Sequence, residues 1–199
     1  MVTPTRSLSE ERSDETKRTR TPRSLSEERS DETKRARRHE ARTIAASVLD
    51  PEVPVLTIDD LGVLRAVEVD ERDGREHVRV DITPTYSGCP AMDAIRYDVV
   101  LALTAAGFDD VEVRLVLSPA WTTDWMSEDG RRKLAEYGIA PPNGRAAVRQ
   151  GPIRLALSVR CPRCGSLDTR EVSRFGSTSC KALYECRACL EPFDHFKVI

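Results

Sequence analysis

The chain has 199 residues, 39% of them hydrophobic, with 31 Lys or Arg against 33 Asp or Glu and six cysteines. Residues 1–42 carry twelve basic against nine acidic side chains, so the remainder is net negative and lacks the clustered positive surface that phosphate-backbone binding requires. No apolar run of about 18 residues is present to span a bilayer, and the first residues hold no secretory core, so the chain reads as cytoplasmic, with no nucleic-acid or membrane partner.

Residues 6–18, RSLSEERSDETKR, recur unchanged at 23–35. Each copy offers one leucine, Leu8 or Leu25, too little apolar surface to offset the entropy of ordering. Residues 1–38 are therefore expected to be a disordered, duplicated charged tail. From about Ala36 the pattern turns helical, with Ile44, Ala45, Val48 and Leu49 on one face before Asp50 and Pro51 break it. Asp50 to Leu61 reads as an ordered loop. Leu61 to Val69 and His77 to Ile82 alternate apolar and polar residues around the turn residues Asp70 to Gly74, which predicts a β-hairpin.

A loop from Thr83 to Pro90 ends in Cys89, just before a helix expected over Ala91–Ala106. Met92, Ile95, Val99, Leu101 and Leu103 are its packing residues, and Gly107 closes it. Val111 to Leu117 is a third strand, and a helix with acidic residues in its first turn runs from about Ser127 to Tyr137. The order α-β-β-α-β over residues 39–142 predicts a small α+β domain. Residues 143–154 read as a linker to a cysteine-rich module at 155–199.

That module carries Cys161-Pro-Arg-Cys164 and Cys186-Arg-Ala-Cys189, two CxxC knuckles separated by 21 residues. In a reducing compartment such cysteines are metal ligands before they are disulfides. Four thiolates form a closed tetrahedral shell with no vacancy for water or substrate, so one structural zinc is expected, with a rubredoxin-like iron as the competing metal. Thr169–Arg174 and Ala182–Glu185 read as strands of a zinc ribbon. Cys180 is an accessory-thiol candidate, either an exchangeable fifth ligand or a buried thiol. His195, near the last cysteine, is expected to be a packed or exposed residue and not a ligand.

Cys89 stands at a helix start, where backbone N–H groups and the helix dipole lower a thiol pKa, which makes it a candidate nucleophile or soft-metal ligand. No His lies near it in sequence, and no phosphate loop, nucleophile elbow or HExxH is present, so the residues indicate an accessory protein with no catalytic set.

The strings Asp50-Pro-Glu-Val-Pro54, Ile58-Asp-Asp-Leu-Gly-Val63 and Thr85-xxx-Cys89-Pro90 resemble, in the same order, the MIP18 (DUF59) family, which is linked to iron–sulfur cluster assembly. Leu117-Ser-Pro-Ala-Trp-Thr-Thr-Asp-Trp125, Tyr137-Gly-Ile-Ala-Pro-Pro142, Phe175-Gly-Ser-Thr-Ser-Cys-Lys-Ala-Leu-Tyr184 and Pro192-Phe-Asp-His-Phe196 are similar to the PaaD (PaaJ) family of phenylacetyl-CoA epoxidase systems. The resemblance covers about residues 40–199. It implies an accessory subunit in aerobic phenylacetate catabolism that helps assemble iron or iron–sulfur centres, with the oxygenase and reductase subunits as partners. Cys89 is then the candidate for transient iron or cluster transfer. A purely structural or regulatory zinc-binding subunit is the alternative.

Overall fold

The computed structural model describes residues 25–143 and 159–199. The first helix, α1, runs over Leu25–Ala46. Residues 25–35 of the second repeat copy are thus helical, and the expectation of disorder is corrected for residues 25–38, while residues 1–24 lie outside the described residues. Ala41 and Ala45, both fully buried, anchor the C-terminal end of the helix, and its extension into solvent through helix-favouring Glu, Arg and Lys costs little once that end is held. Arg38 donates to the Val67 carbonyl at 3.0 Å, and the Arg37 guanidinium lies 4.1 Å from the Phe108 ring centroid while gripping Glu76 with two nitrogens. Leu49, expected on the packed face, is 50% exposed, because the helix stops at Ala46 and the chain turns away.

Strands β1 (Leu64–Arg72) and β2 (Arg75–Ile82) form the expected hairpin. Asp73 and Gly74 at its tip both have positive φ, 52° and 74°, the two-residue turn whose twist matches the strands. Leu61 and Val63 precede the strand but are buried in the core. Helix α2 (Ala91–Ala105) crosses over to β3 (Asp110–Leu115), which pairs parallel to β2, giving the sheet order β1-β2-β3. Met92, Ile95, Val99 and Leu103 form its buried stripe at i, i+3, i+7 and i+11. Leu101 falls off that stripe and is 56% exposed, which corrects its expected packing role. Gly107, at φ 87°, closes the helix.

A 3₁₀ turn (Thr123–Trp125) leads to α3 (Glu128–Tyr137), whose cap Ser127 Oγ accepts from the Gly130 N–H at 2.9 Å. This segment is tied to the loop before β1. Trp121 Nε1 donates to the Leu61 carbonyl at 2.9 Å, and Lys133 reaches Asp60 at 2.7 Å. Thr57 and Asp60 cap one another reciprocally, each backbone N–H 3.0 Å from the other's side chain. The acidic string that reads as an ordered loop is therefore ordered by its ties to α3.

The C-terminal module is a three-stranded antiparallel sheet, β4 (Thr169–Ser173), β5 (Lys181–Cys186) and β6 (Pro192–Phe196), in that order. The sequence signals β4 and β5; β6 takes its strand form from pairing with β5 across the knuckle. Ala140 is bound on both sides to β6, its N–H to the Asp194 carbonyl at 2.8 Å and its carbonyl to the Phe196 N–H at 2.9 Å. Phe196 packs 6.2 Å from Trp121 and joins the main core together with Cys180. The fold is a small α+β domain with a β ribbon docked against it. The expected linker lies, apart from residue 143, outside the described residues. No helix of the described residues is long and apolar enough to cross a membrane.

Candidate functional site

The two knuckles repeat one backbone design. Gly165 N–H donates to the Cys161 carbonyl and Leu190 N–H to the Cys186 carbonyl, each at 2.9 Å. Cys161 and Cys186 N–H groups in turn bind the carbonyls of Ser166 and Glu191. Both turns need a left-handed residue after the second cysteine: Gly165 has φ 75° and Leu190 has φ 65°. Glycine adopts this conformation freely, whereas leucine is strained by about 1 kcal/mol or more. Leu190 is also 73% exposed, so its side chain returns little packing energy. Leu190→Gly is expected to strengthen the ribbon by about 1 kcal/mol, read as slower zinc loss to a chelator. Faster loss would mean that the side chain packs against something that offsets the strain.

The knuckles bring Cys161, Cys164, Cys186 and Cys189 together with all four sulfurs within 4.8 Å of one another, the one such group of three or more His, Cys, Asp or Glu side chains among the described residues. Cys161 and Cys189 sulfurs stand 3.8 Å apart, and those of Cys164 and Cys186 3.5 Å. A tetrahedron with metal–sulfur bonds of about 2.3 Å has edges of about 3.8 Å, so these two pairs already match it and the whole set can close on one ion with shifts of about 1 Å or less. The backbone N–H of Cys189, helped by that of Ala188, holds the Cys186 thiol down to about 7, whereas at Cys189 the Glu191 N–H is outweighed by burial and the neighbouring thiols, which push it up to about 12, so Cys186 ionises ahead of Cys189. His195 is buried, its ring edge-on to Tyr184 at 5.3 Å, and burial pushes its pKa down to about 4. It is a packed residue, as the sequence indicates.

Cys89 lies elsewhere, half-buried at the loop end before α2. The structure corrects its expected acidity. Burial pushes the thiol up, and neighbouring Glu52, Asp50 and Cys180 push it further, against a single opposing bond from the Ala91 N–H. The helix N-terminus is present, but one N–H does not outweigh desolvation and two carboxylates.

Those neighbours were missed as site residues. Asp50 Oδ1 accepts the N–H groups of Glu52 and Val53, both at 2.8 Å, which folds the Asp-Pro-Glu string back on itself and turns Glu52 toward the same cavity. Burial raises both carboxyls, and the Lys181 ammonium, 4% exposed, opposes this at each. In sequence these charges read as part of an ordered loop, with nothing local to place them beside Cys89. Cys180, on the β4–β5 connection, is 4% exposed and lines the same cavity. The structure therefore separates Cys180 from the four-sulfur set and places it with Cys89.

Comparison with known proteins bears on both halves. Residues 40–115 match the iron–sulfur cluster assembly protein family, and residues 146–197 match the PaaD zinc beta ribbon domain. The chain is 50% identical over 161 residues to an Escherichia coli protein provisionally named as a component of 1,2-phenylacetyl-CoA epoxidase, covering 81% of this chain and 93% of that one. The chain belongs to the PaaD family. Its first domain is also similar to maturation factors. An Fe-S protein maturation auxiliary factor of Porphyromonas gingivalis is 38% identical over 89 residues, 44% of this chain and 81% of that one. The Staphylococcus aureus Fe-S protein maturation auxiliary factor SufT is 38% identical over 81 residues, 40% of this chain and 88% of that one. Among solved structures, a domain of unknown function DUF59 from Bacillus anthracis is 26% identical with a TM-score of 0.47, covering 52% of this chain and 96% of that one. This PaaD-family chain thus joins an assembly-family domain to a zinc ribbon.

Proposed function

We propose that this PaaD-family chain is an accessory component of a phenylacetyl-CoA epoxidase system that assists assembly of iron or iron–sulfur centres in the oxygenase and reductase subunits. Cys89 is the residue through which iron or a cluster, as cargo, passes. The four ribbon cysteines hold one structural zinc, which supplies folding energy and no chemistry, because a closed four-thiolate shell leaves no position for a reactant. The chain works in the cytoplasm, where its thiols remain reduced.

The observation that carries this reading is the union, in one chain, of a domain related to Fe-S maturation factors with the PaaD ribbon, at 50% identity to a protein named for the epoxidase. Cys89 sits in that domain beside Asp50 and Glu52, a mixed sulfur and oxygen environment suited to transient metal binding.

Cys89→Ala is expected to leave zinc content and melting temperature close to wild type, because the side chain is only half-buried and small. Cells relying on the variant should contain oxygenase components poorly loaded with iron and grow badly on phenylacetate. Normal growth with normally loaded partners would favour the structural or regulatory zinc-binding role instead.

A further inference from the structure

Cys89 and Cys180 are 91 positions apart in the chain and line one cavity. Cys89 arrives on the loop that opens α2. Cys180 arrives from the ribbon, its carbonyl bound by the Lys197 N–H at 3.0 Å and its sulfur 3.0 Å from the Thr178 hydroxyl. Phe196 of the same ribbon closes the cavity on the apolar side, and Asp50 and Glu52 face it from the loop after α1. Neither cysteine is in a disulfide.

We propose that Cys89 and Cys180 form one two-thiol site across the join between the domain and the ribbon, taking a single divalent ion of the iron(II) class with Asp50 and Glu52 as its carboxylates. This rests on the iron-assembly reading above and specifies the cargo. Two sulfurs with two carboxylates suit a borderline first-row ion better than a hard ion such as magnesium. The cavity, about 10 Å³, has the room of about one small sphere, the size of a single ion. As the ion binds, each thiol gives its proton to solvent and forms one sulfur–metal bond, and the metal keeps its oxidation state.

The cavity donors differ from the ribbon cysteines in one respect that fits transfer. They do not form a mutually close set of the kind the four ribbon sulfurs make. Binding one ion then draws these donors closer together than they stand in the metal-free chain. Lys181, buried beside the same acids and 3.9 Å from Asp194, offsets negative charge in the metal-free state. In this arrangement the ribbon contributes a ligand as well as a docking surface.

The test uses the full-length chain with its ribbon zinc in place, free of oxygen, titrated with cobalt(II) as a spectroscopic probe for iron(II). One cobalt per chain beyond the zinc is expected, with near-ultraviolet thiolate-to-cobalt absorption. Cys89→Ser and Cys180→Ser should each halve that absorption per bound cobalt and weaken binding by about tenfold or more, with zinc content unchanged. If Cys180→Ser disturbs the ribbon, cadmium-113 NMR of the wild-type chain reads the same property. A second resonance upfield of the four-thiolate signal is then expected, and its absence overturns the proposal. Wild-type absorption and affinity in Cys180→Ser would also overturn it, leaving a Cys89-only site and the assembly reading intact. An intact two-thiol cobalt site alongside normal growth of Cys89→Ala would do the reverse, sustaining the site and removing the assembly role.

Discussion

Cys161→Ser is expected to empty the ribbon of zinc and to unfold the knuckle end of the module. The ribbon's own core consists of Ala140, Val159, Cys161, Cys186 and Phe193, and two of those five are themselves metal-holding cysteines. Burying Val159 and Phe193 returns about 1.5–3 kcal/mol each, while ordering each backbone residue costs about 1–2 kcal/mol. Without the roughly 10–16 kcal/mol that a structural zinc contributes in small modules, the balance is unfavourable. Zinc per chain should fall close to zero, and amide resonances from about residue 159 to Gly176 should collapse to unfolded positions. The α+β domain should hold, since its core is separate, with Phe196 and Cys180 as the shared members. Chelation of the wild-type chain should reproduce the spectrum, which separates ligand loss from the cost of a buried hydroxyl. A variant with full zinc and unchanged amides would show that Cys161 is not a ligand.

Gly62→Ala is expected to be among the most damaging single-methyl changes in the first domain, at about 2–4 kcal/mol. Two effects add. Gly62 has φ 68°, a region that costs a residue with a Cβ about 1 kcal/mol. A Cβ there would also stand 2.6 Å from the Trp125 carbonyl oxygen and 2.7 Å from the Trp125 Cβ, and backbone cannot swing aside as the end of a long side chain can. Trp125 would have to move, and with it the Arg65 guanidinium stacked 3.4 Å from its ring centroid. The displaced segment also contains Trp121, the contact of the domain with Phe196 of the ribbon. A large drop in thermal stability is therefore expected, together with faster proteolysis between the two units. An unchanged melting temperature would mean that the Gly62 and Trp125 segments are not pressed together in solution.

Several features were legible because they depend on neighbours in sequence. The CxxC spacing forces two sulfurs of each knuckle to one side, so the four-sulfur set could be read before any fold was known. The turn residues Asp70 to Gly74 marked the hairpin, and Gly107 marked a helix end through the left-handed conformation it adopts. The second repeat copy read as disordered, whereas its residues 25–35 continue the helix that residues 36–46 anchor. Helix propagation is a property of what the segment is attached to.

The remaining features arise from contacts between distant segments. Leu101 is exposed because its angular position on α2 misses the sheet, and β6 is a strand because β5 supplies its partner. The direction of the Cys89 shift followed from desolvation and from Asp50, Glu52 and Cys180, three residues that the sequence places 39, 37 and 91 positions away. By itself the sequence determined a closed metal knuckle pair and a candidate thiol at a helix start, since both are set by local backbone geometry. Only the tertiary structure decided that this thiol is hard to ionise and that a ribbon cysteine, Cys180, lines the same cavity, because charge and burial are sums over everything the fold brings within a few ångströms.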